Sequence, residues 1–435
     1  MGGNVHPWEC ALVTEHVNAV IHHDQISQSP SYGGVIALND GRLMWGWGSG
    51  HADPVRPLMA NFSEDGGATW TDPVELKQFD GEPVMGIMDI NLLRLPSGAL
   101  GLAQRSLYRA EQPGQPHRAG LSFHRSGDEG ETWSQAIPIN PPETDAVFTN
   151  DKSIVLKDGR VVVPFYASIG PTTAPVSKYK SQFGEEMSTA ELGSLSYSSA
   201  YYSDDDGATW TRSFNETYVM LDHGIGGKYI MGEPELVELN DGRILMLGRT
   251  NLGVFFRCYS EDRAETWTEP VPTGLACPPT PCSVVQLPGT GDLLVVFNQV
   301  SRWEAMIGIY RHRLSTAVSK DNGETWEQHK NLESLDDVTY VKPDGLKPFL
   351  QGRFKQPIDR TRYHRAPGPL RFSYPSCTVV DDRVIITYGM SVFGDKSVIA
   401  DTYGVDYDQL MEEMGLAPYD SGNKIRVMSP EWFYH

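Results

Sequence analysis

The chain has 435 residues, 40% of them hydrophobic, which is enough to bury a large core. Its formal net charge of −20 argues against nucleic acid or an anionic membrane as a partner, and no apolar run is long enough to cross a bilayer. Five cysteines (Cys10, Cys258, Cys277, Cys282 and Cys377) are too few and too scattered for a disulfide framework.

In chain order, the opening MGGNVHPWEC lacks a basic region followed by an apolar stretch, so no signal peptide is read there. Six hairpin signatures come next, each an apolar stretch, a tight turn and a second apolar run. They are VIALNDGRLMWGW from Val35, LLRLPSGALGLAQ from Leu92, SIVLKDGRVVVPF from Ser153, ELVELNDGRILMLG from Glu235, SVVQLPGTGDLLVVF from Ser283 and CTVVDDRVIITYG from Cys377. Between them one eight-residue phrase recurs five times. It reads SEDGGATW at Ser63–Trp70, SGDEGETW at Ser126–Trp133, SDDDGATW at Ser203–Trp210, SEDRAETW at Ser260–Trp267 and SKDNGETW at Ser319–Trp326.

Successive tryptophans of the phrase lie 63, 77, 57 and 59 residues apart. That period is too long for a helical solenoid unit and fits a four-stranded blade. The sequence therefore predicts an all-β chain: one six-bladed β-propeller domain over 1–435, its last blade closed by a strand from the other end of the chain. Within the phrase, Asp accepts backbone hydrogen bonds, Gly takes the left-handed conformation and Trp wedges beneath the turn. The fourth copy carries Arg263 where Gly is usual, which predicts a distorted turn. Three stretches exceed what a blade needs: about 164–196, Asp222–Tyr229 (DHGIGGKY), and about 327–372 with DRTRYHRAPGPLRF. Insertions of this kind gather over one face and shape a pocket. DYDQLMEEMGLAP near the end predicts a short helix.

The innermost strands of a propeller converge on a central opening, so the residues just before them form a ring. That ring reads Ser31–Tyr32–Gly33, Asp89–Ile90–Asn91, Asn150–Asp151, Glu233–Pro234–Glu235, Pro281–Cys282 and Tyr374–Pro375–Ser376. It is polar and acidic, at the place where a ligand would enter. Cys277 and Cys282 flank PPTP without a histidine cluster and read as buried thiols, so neither metal nor cofactor is expected.

The recurring phrase resembles the Asp-box, S-x-D-x-G-x-T-W, of the sialidase (neuraminidase) superfamily, and NDKSIVLKDGR, GEPELVELNDGR and RLSTAVSKDNGETW look like a bacterial-type branch of it. The resemblance implies structural boxes on outer turns, far from substrate. It also implies a Tyr nucleophile, a Glu that takes its proton, an Asp acid/base on a loop, and three Arg on the substrate carboxylate. GEPELVELNDGRILMLGR supplies Glu233 and Arg249, RHRLSTAVSKD supplies Arg311 with Arg313 as a rival, and YPSCTVVDD supplies Tyr374. GSGHADPVRP offers Asp53 as the acid, with His51 beside it. Arg105, in the same hairpin position as Arg249, reads either as a further substrate ligand or as a partner of Asp89; Asp151 completes the acidic ring. The family's Arg-Ile-Pro arginine is absent, since Ser31–Tyr32–Gly33 stands there; Arg56, Arg105, Arg353, Arg362 and Arg371 are possible substitutes.

The chemistry suits this cast. A carboxylate on the anomeric carbon repels an anionic nucleophile, so a neutral phenol with an adjacent base is better suited. Arg is preferred to Lys for a carboxylate because its planar fork engages both oxygens. Three functions stay open, all with a glycan or glycoconjugate as partner. One is a retaining exo-glycosidase on a terminal sialic acid. Another is a hydrolase or lyase on another acidic glycan, with His51, Tyr363 and His364 in other roles. The third is a non-catalytic glycan-binding propeller.

Overall fold

A computed structural model describes residues 16–21, 33–48, 56–87, 89–108, 118–148, 152–169, 178–180, 186–188, 195–220, 231–302, 304, 310–334, 336–346, 370–392, 396–397, 400, 406–413 and 421–435. Within these, six antiparallel sheets each run from an inner to an outer strand. Blade 1 comprises Val35–Ala37, Leu43–Gly48, Arg56–Ser63 and Val74–Glu75; blade 2, Ile90–Arg94, Leu100–Tyr108, Arg118–Ser126 and Ile137–Pro138. Blade 3 comprises Ile154–Val155, Val161–Ile169, Leu195–Ser203 and Thr211–Arg212; blade 4, Gly232–Glu238, Ile244–Arg249, Val254–Ser260 and Val271–Ala276. Blade 5 comprises Cys282–Gln286, Leu293–Asn298, Leu314–Ser319 and Glu327–Glu333. Blade 6 takes Leu370–Val380, Arg383–Val392 and Ser421–Met428, and its outermost strand is His16–Ile21, paired from His16↔Met428 to Ile21↔Asn423. The ring is thus closed by the opposite end of the chain.

Six apolar clusters fill the six gaps between neighbouring blades. A blade strand is therefore buried on both faces, which is why LMWGW, VVVPF, ILMLG and LLVVF are unbroken apolar runs. Alternate residues still go to different gaps. Met44 packs toward blade 2 while Trp45 and Trp47 pack toward blade 6; Ile244 and Met246 face blade 3 while Leu245 and Leu247 face blade 5.

Each repeated phrase connects the third strand of a blade to the stretch leading into its fourth. Strands alternate in direction, so these turns lie at the end of the ring opposite the heads of the inner strands. In the third copy Asp205 accepts from the Thr209 N–H at 2.8 Å and the Thr209 hydroxyl at 2.6 Å, Ser203 Oγ accepts from the Gly207 N–H, and Trp210 Nε1 donates to the Gly207 carbonyl. Every box tryptophan packs into the gap between its own blade and the preceding one.

The fourth turn is not distorted. Arg263 occupies a position where the other copies have Gly66, Glu129, Asp206 and Asn322, all at positive φ, as Arg263 is at 64°. The residue that replaces the motif glycine is Ala264, at φ 69°. Its N–H still reaches Ser260 Oγ at 2.8 Å, and Asp262 still holds Thr266. What changes is the tryptophan: Trp267 Nε1 donates to Ser213 Oγ, which in turn donates to the Ala264 carbonyl.

Both ends of the longer stretches belong to blades. Val161–Ile169 and Leu195–Ser203 are blade 3 strands, with Lys178–Lys180 and Glu186–Ser188 paired as a small hairpin between them. Glu327–Glu333 is the outer strand of blade 5, and blade 6 begins at Leu370. Asp222–Tyr229 lies outside the described residues. The expected helix is Tyr407–Glu413, buried through Tyr407, Leu410 and Met411. Among the described residues no helix is long and apolar enough to cross a membrane.

Candidate active site

Two blades break their register at the same place. In blade 4, Gly232 faces Arg249 and Glu235 faces Leu247, so Glu233 and Pro234 together oppose one residue. In blade 6, Ser373 faces Gly389 and Ser376 faces Thr387, so Tyr374 and Pro375 do the same. These are β-bulges, which re-aim a side chain at a strand head. Proline suits the extra position because it has no ladder N–H to satisfy. Glu233 and Tyr374 carry positive φ of 45° and 51°, strained values for non-glycine residues and common at functional sites.

The second strand of each blade returns to the same end. Arg105, Tyr166 and Arg249 stand seven residues after the positive-φ hairpin glycines Gly98, Gly159 and Gly242, and so occupy matching positions in blades 2, 3 and 4. Arg249 forms an ion pair with Glu233 at 2.6 Å, donates to the Tyr374 hydroxyl, and donates to the Pro279 carbonyl at 3.3 Å. The Arg311 guanidinium lies over the Tyr374 ring, 4.7 Å from its centroid, placed there by the Phe372 N–H donating to the Arg311 carbonyl. Arg105 faces the buried Asp89 at 3.5 Å.

The electrostatics tie these groups into one site. The charge on Glu233, then burial, push the Tyr374 phenol above its ordinary value, while Arg311 and Arg249 pull it down. The Tyr166 phenol is pushed up by burial and Glu233, against Arg249 and Arg105. Both phenols are therefore neutral near pH 7. If the proton of Tyr374 passes to Glu233, the opposing negative charge disappears and the phenolate is left between two guanidiniums.

Of the residues expected from sequence, Tyr374, Glu233, Arg249, Arg311, Arg105 and Asp89 lie together. His51, Asp53 and Asp151 fall outside the described residues, as do Arg353, Arg362, Tyr363 and His364. Arg313 is not a rival to Arg311: it is buried and ion-paired to Asp336 at 2.5 Å and Glu304 at 2.9 Å. No side chain fits at Gly33, where an added Cβ would lie 1.7 Å from the Gly46 carbonyl oxygen. Burial pushes the Cys277 and Cys282 thiols up, as inert cysteines require. Among the described residues no cluster of His, Cys, Asp or Glu could hold a metal ion. Tyr166 was missed by sequence reasoning, although the seven-residue spacing from the hairpin glycine marks it.

The BNR repeat-like domain family matches residues 107–386. A sialidase from Bacteroides fragilis is 22% identical over 299 residues, which is 62% of this chain and 48% of that protein. The chain spans less than half the length of the curated relatives it matches. Among solved structures, a protein of unknown function from Dyadobacter fermentans superposes with TM-score 0.59 at 18% identity, covering 96% of this chain and 100% of that one. An α-L-arabinanase from Penicillium chrysogenum superposes with TM-score 0.55 at 12% identity, covering 96% and 98%. At these identities the structural likenesses speak for the fold. The chain belongs to the BNR repeat-like domain family, as a six-bladed propeller distantly related to sialidases.

Proposed function

We propose that the protein is a retaining exo-glycosidase that removes a terminal sialic acid, or a closely related acidic sugar, from a glycan. The observation that carries this reading is the shared guanidinium of Arg249, bonded to both Glu233 and Tyr374, with Arg311 over the same phenol. Arg249 and Arg311 receive the substrate carboxylate. Glu233 withdraws the phenol proton, and the Tyr374 oxygen attacks the anomeric carbon to form a tyrosyl glycoside. Asp53 protonates the leaving oxygen and then activates the water that releases the sugar. Asp89, Arg105, Tyr166, Asp151 and His51 contact the remaining sugar substituents.

The direct test is fluorescence release from a 4-methylumbelliferyl sialoside. Wild type is expected to release fluorophore. Glu233→Gln is expected to lose about 10²–10⁴-fold in kcat, the usual worth of a positioned base. Tyr374→Phe, which removes the nucleophile, is expected to lose at least about 10⁴-fold. Full activity in a folded Tyr374→Phe variant would contradict the reading.

One observation favours a second substrate. The guanidiniums against Tyr374 are Arg249 and Arg311, Arg105 faces Asp89, and Gly33 admits no side chain. A two-arginine grip fits an acidic sugar whose carboxylate is less crowded, such as a uronic acid. Product analysis separates the cases: a hydrolase yields the saturated sugar, whereas a lyase yields an unsaturated uronate that absorbs in the ultraviolet.

A further inference from the structure

Directly beneath the candidate site, blades 2 to 6 are tied together by buried polar groups. Asn91 of blade 2 accepts from the Lys152 and Ser153 N–H groups at 2.5 and 2.6 Å. The Lys152 ammonium, 1% exposed, ion-pairs with Glu235 of blade 4 and donates to the Cys282 carbonyl of blade 5. Glu235, 3% exposed by its side chain, accepts from Ser283 Oγ at 2.9 Å and the Val284 N–H at 3.0 Å. Ser283 Oγ accepts from the Cys377 N–H of blade 6 at 3.1 Å. Asn91 comes two residues after Asp89, Glu235 two after Glu233, and Cys377 three after Tyr374. Lys152 and Glu235 also line the axial channel of about 600 Å³, whose other walls include Ile36, Val285 and Val379. The pair thus stands between this channel and the site.

A buried ion pair is weak evidence for stability, because well-packed apolar residues in its place are often as stable. Its place in the fold suggests another use. We infer that Lys152 and Glu235 are positioning residues: the pair fixes the strand heads that carry Glu233 and Tyr374. This rests on the reading of Glu233 and Tyr374 as the proton-acceptor and nucleophile pair. Lys152 feels the charge of Glu233 as well as that of Glu235. Without the pair, the bulges that carry Glu233 and Tyr374 would be less firmly held.

The test is the double variant Lys152→Met/Glu235→Leu, which removes both charges together and leaves no unpaired ion. Two measurements are made on wild type and variant. The first is the Tyr374 ring resonance by ¹³C NMR of ring-labelled tyrosine, assigned by its loss in Tyr374→Phe; it needs no turnover. The second is kcat and KM on the fluorogenic sialoside. The expected result is a folded double variant whose Tyr374 resonance shifts and broadens, as a less firmly held ring requires. Its kcat should fall about tenfold with KM within about twofold. An unchanged Tyr374 resonance in the folded double variant would overturn the inference. Absent sialoside cleavage by wild type, together with a shifted Tyr374 resonance, would reject the substrate while leaving the positioning role standing. Should the double variant not fold, Ser283→Ala cuts the link to blade 6 and leaves the ion pair in place. It is then expected to lower kcat severalfold in the folded variant, and wild-type kcat would overturn the inference.

Discussion

Arg249 is asked to do two things that lysine cannot do together. Its guanidinium ion-pairs with Glu233 and donates to the Tyr374 hydroxyl, and in the proposed reaction it also presents N–H groups to the substrate carboxylate. Arg249→Lys keeps the charge and loses the fork, so substrate affinity should weaken about 10–100-fold in KM. Steady-state kinetics on the fluorogenic sialoside checks this, and a KM equal to that of wild type would remove Arg249 from the carboxylate site. Much of this site was legible in the sequence. The heads of the inner strands can be read from the hairpins, and they bring Glu233, Tyr374 and Asp89 to one opening. The choice between Arg311 and Arg313 was not legible, because it depends on Asp336 and Glu304 capturing Arg313. Tyr166 escaped notice because its blade places a phenol where its neighbours place arginine. The Lys152–Glu235 pair escaped because its partners are far apart in sequence, Lys152 and Cys282 by 130 residues.

At the scale of the element, the repeated turns were legible because their bonds close within eight residues. Ser, Asp, Gly, Thr and Trp satisfy one another locally, so the motif carries its own structure. The fourth copy shows the limit of that reading. Its hydrogen bonds survive the loss of glycine because Ala264 holds the left-handed conformation, and Ser213 from the neighbouring turn completes the tryptophan's bond. This copy should therefore gain from restoration of the motif: Ala264→Gly relieves a positive φ at a cost of little packing and should stabilise by about 0.5–1 kcal/mol. The reverse change, Gly207→Ala, should be severe, since a Cβ there would lie 2.2 Å from the Phe123 ring. Thermal denaturation of both variants tests the contrast. Equal shifts would mean that turn conformation is not what the glycine provides.

For the whole molecule, closure and protonation set the stability. The ring is closed by His16–Ile21 pairing with Ser421–Met428. Deleting residues 1–21 leaves an open edge on blade 6 and should lower the thermal midpoint by several degrees, with a tendency to associate through that edge. An unchanged midpoint would mean that the outer strand is dispensable. Stability should also fall in two stages as pH drops. Burial first, then Arg371 and Arg313, depress His312 to about 4 from 6.5, so the unfolded chain binds the proton more readily in that window. Its contribution is full above 6.5 and is lost toward about 4, at no more than about 1.4 kcal/mol per pH unit. In the boxes burial works against ionisation, but bonds from Thr and Ser prevail and hold Asp65, Asp128, Asp205, Asp262 and Asp321 below 3.8. Their contribution is present above 3.8 and is lost below it. Thermal midpoints of wild type and His312→Asn between pH 7 and 4 separate the stages: the variant should show the shallower slope, and equal slopes would discharge His312 from that role.

The reading of Tyr374 as a nucleophile is tested most directly by trapping. The protein is incubated with a 2,3-difluorinated sialic acid, whose second fluorine slows breakdown of a glycosyl–enzyme bond, and is analysed by intact mass and peptide mapping. The account predicts a mass gain of one fluorinated sugar on the peptide bearing Tyr374, absent from Tyr374→Phe. An adduct on another residue, or turnover without any adduct, would contradict it.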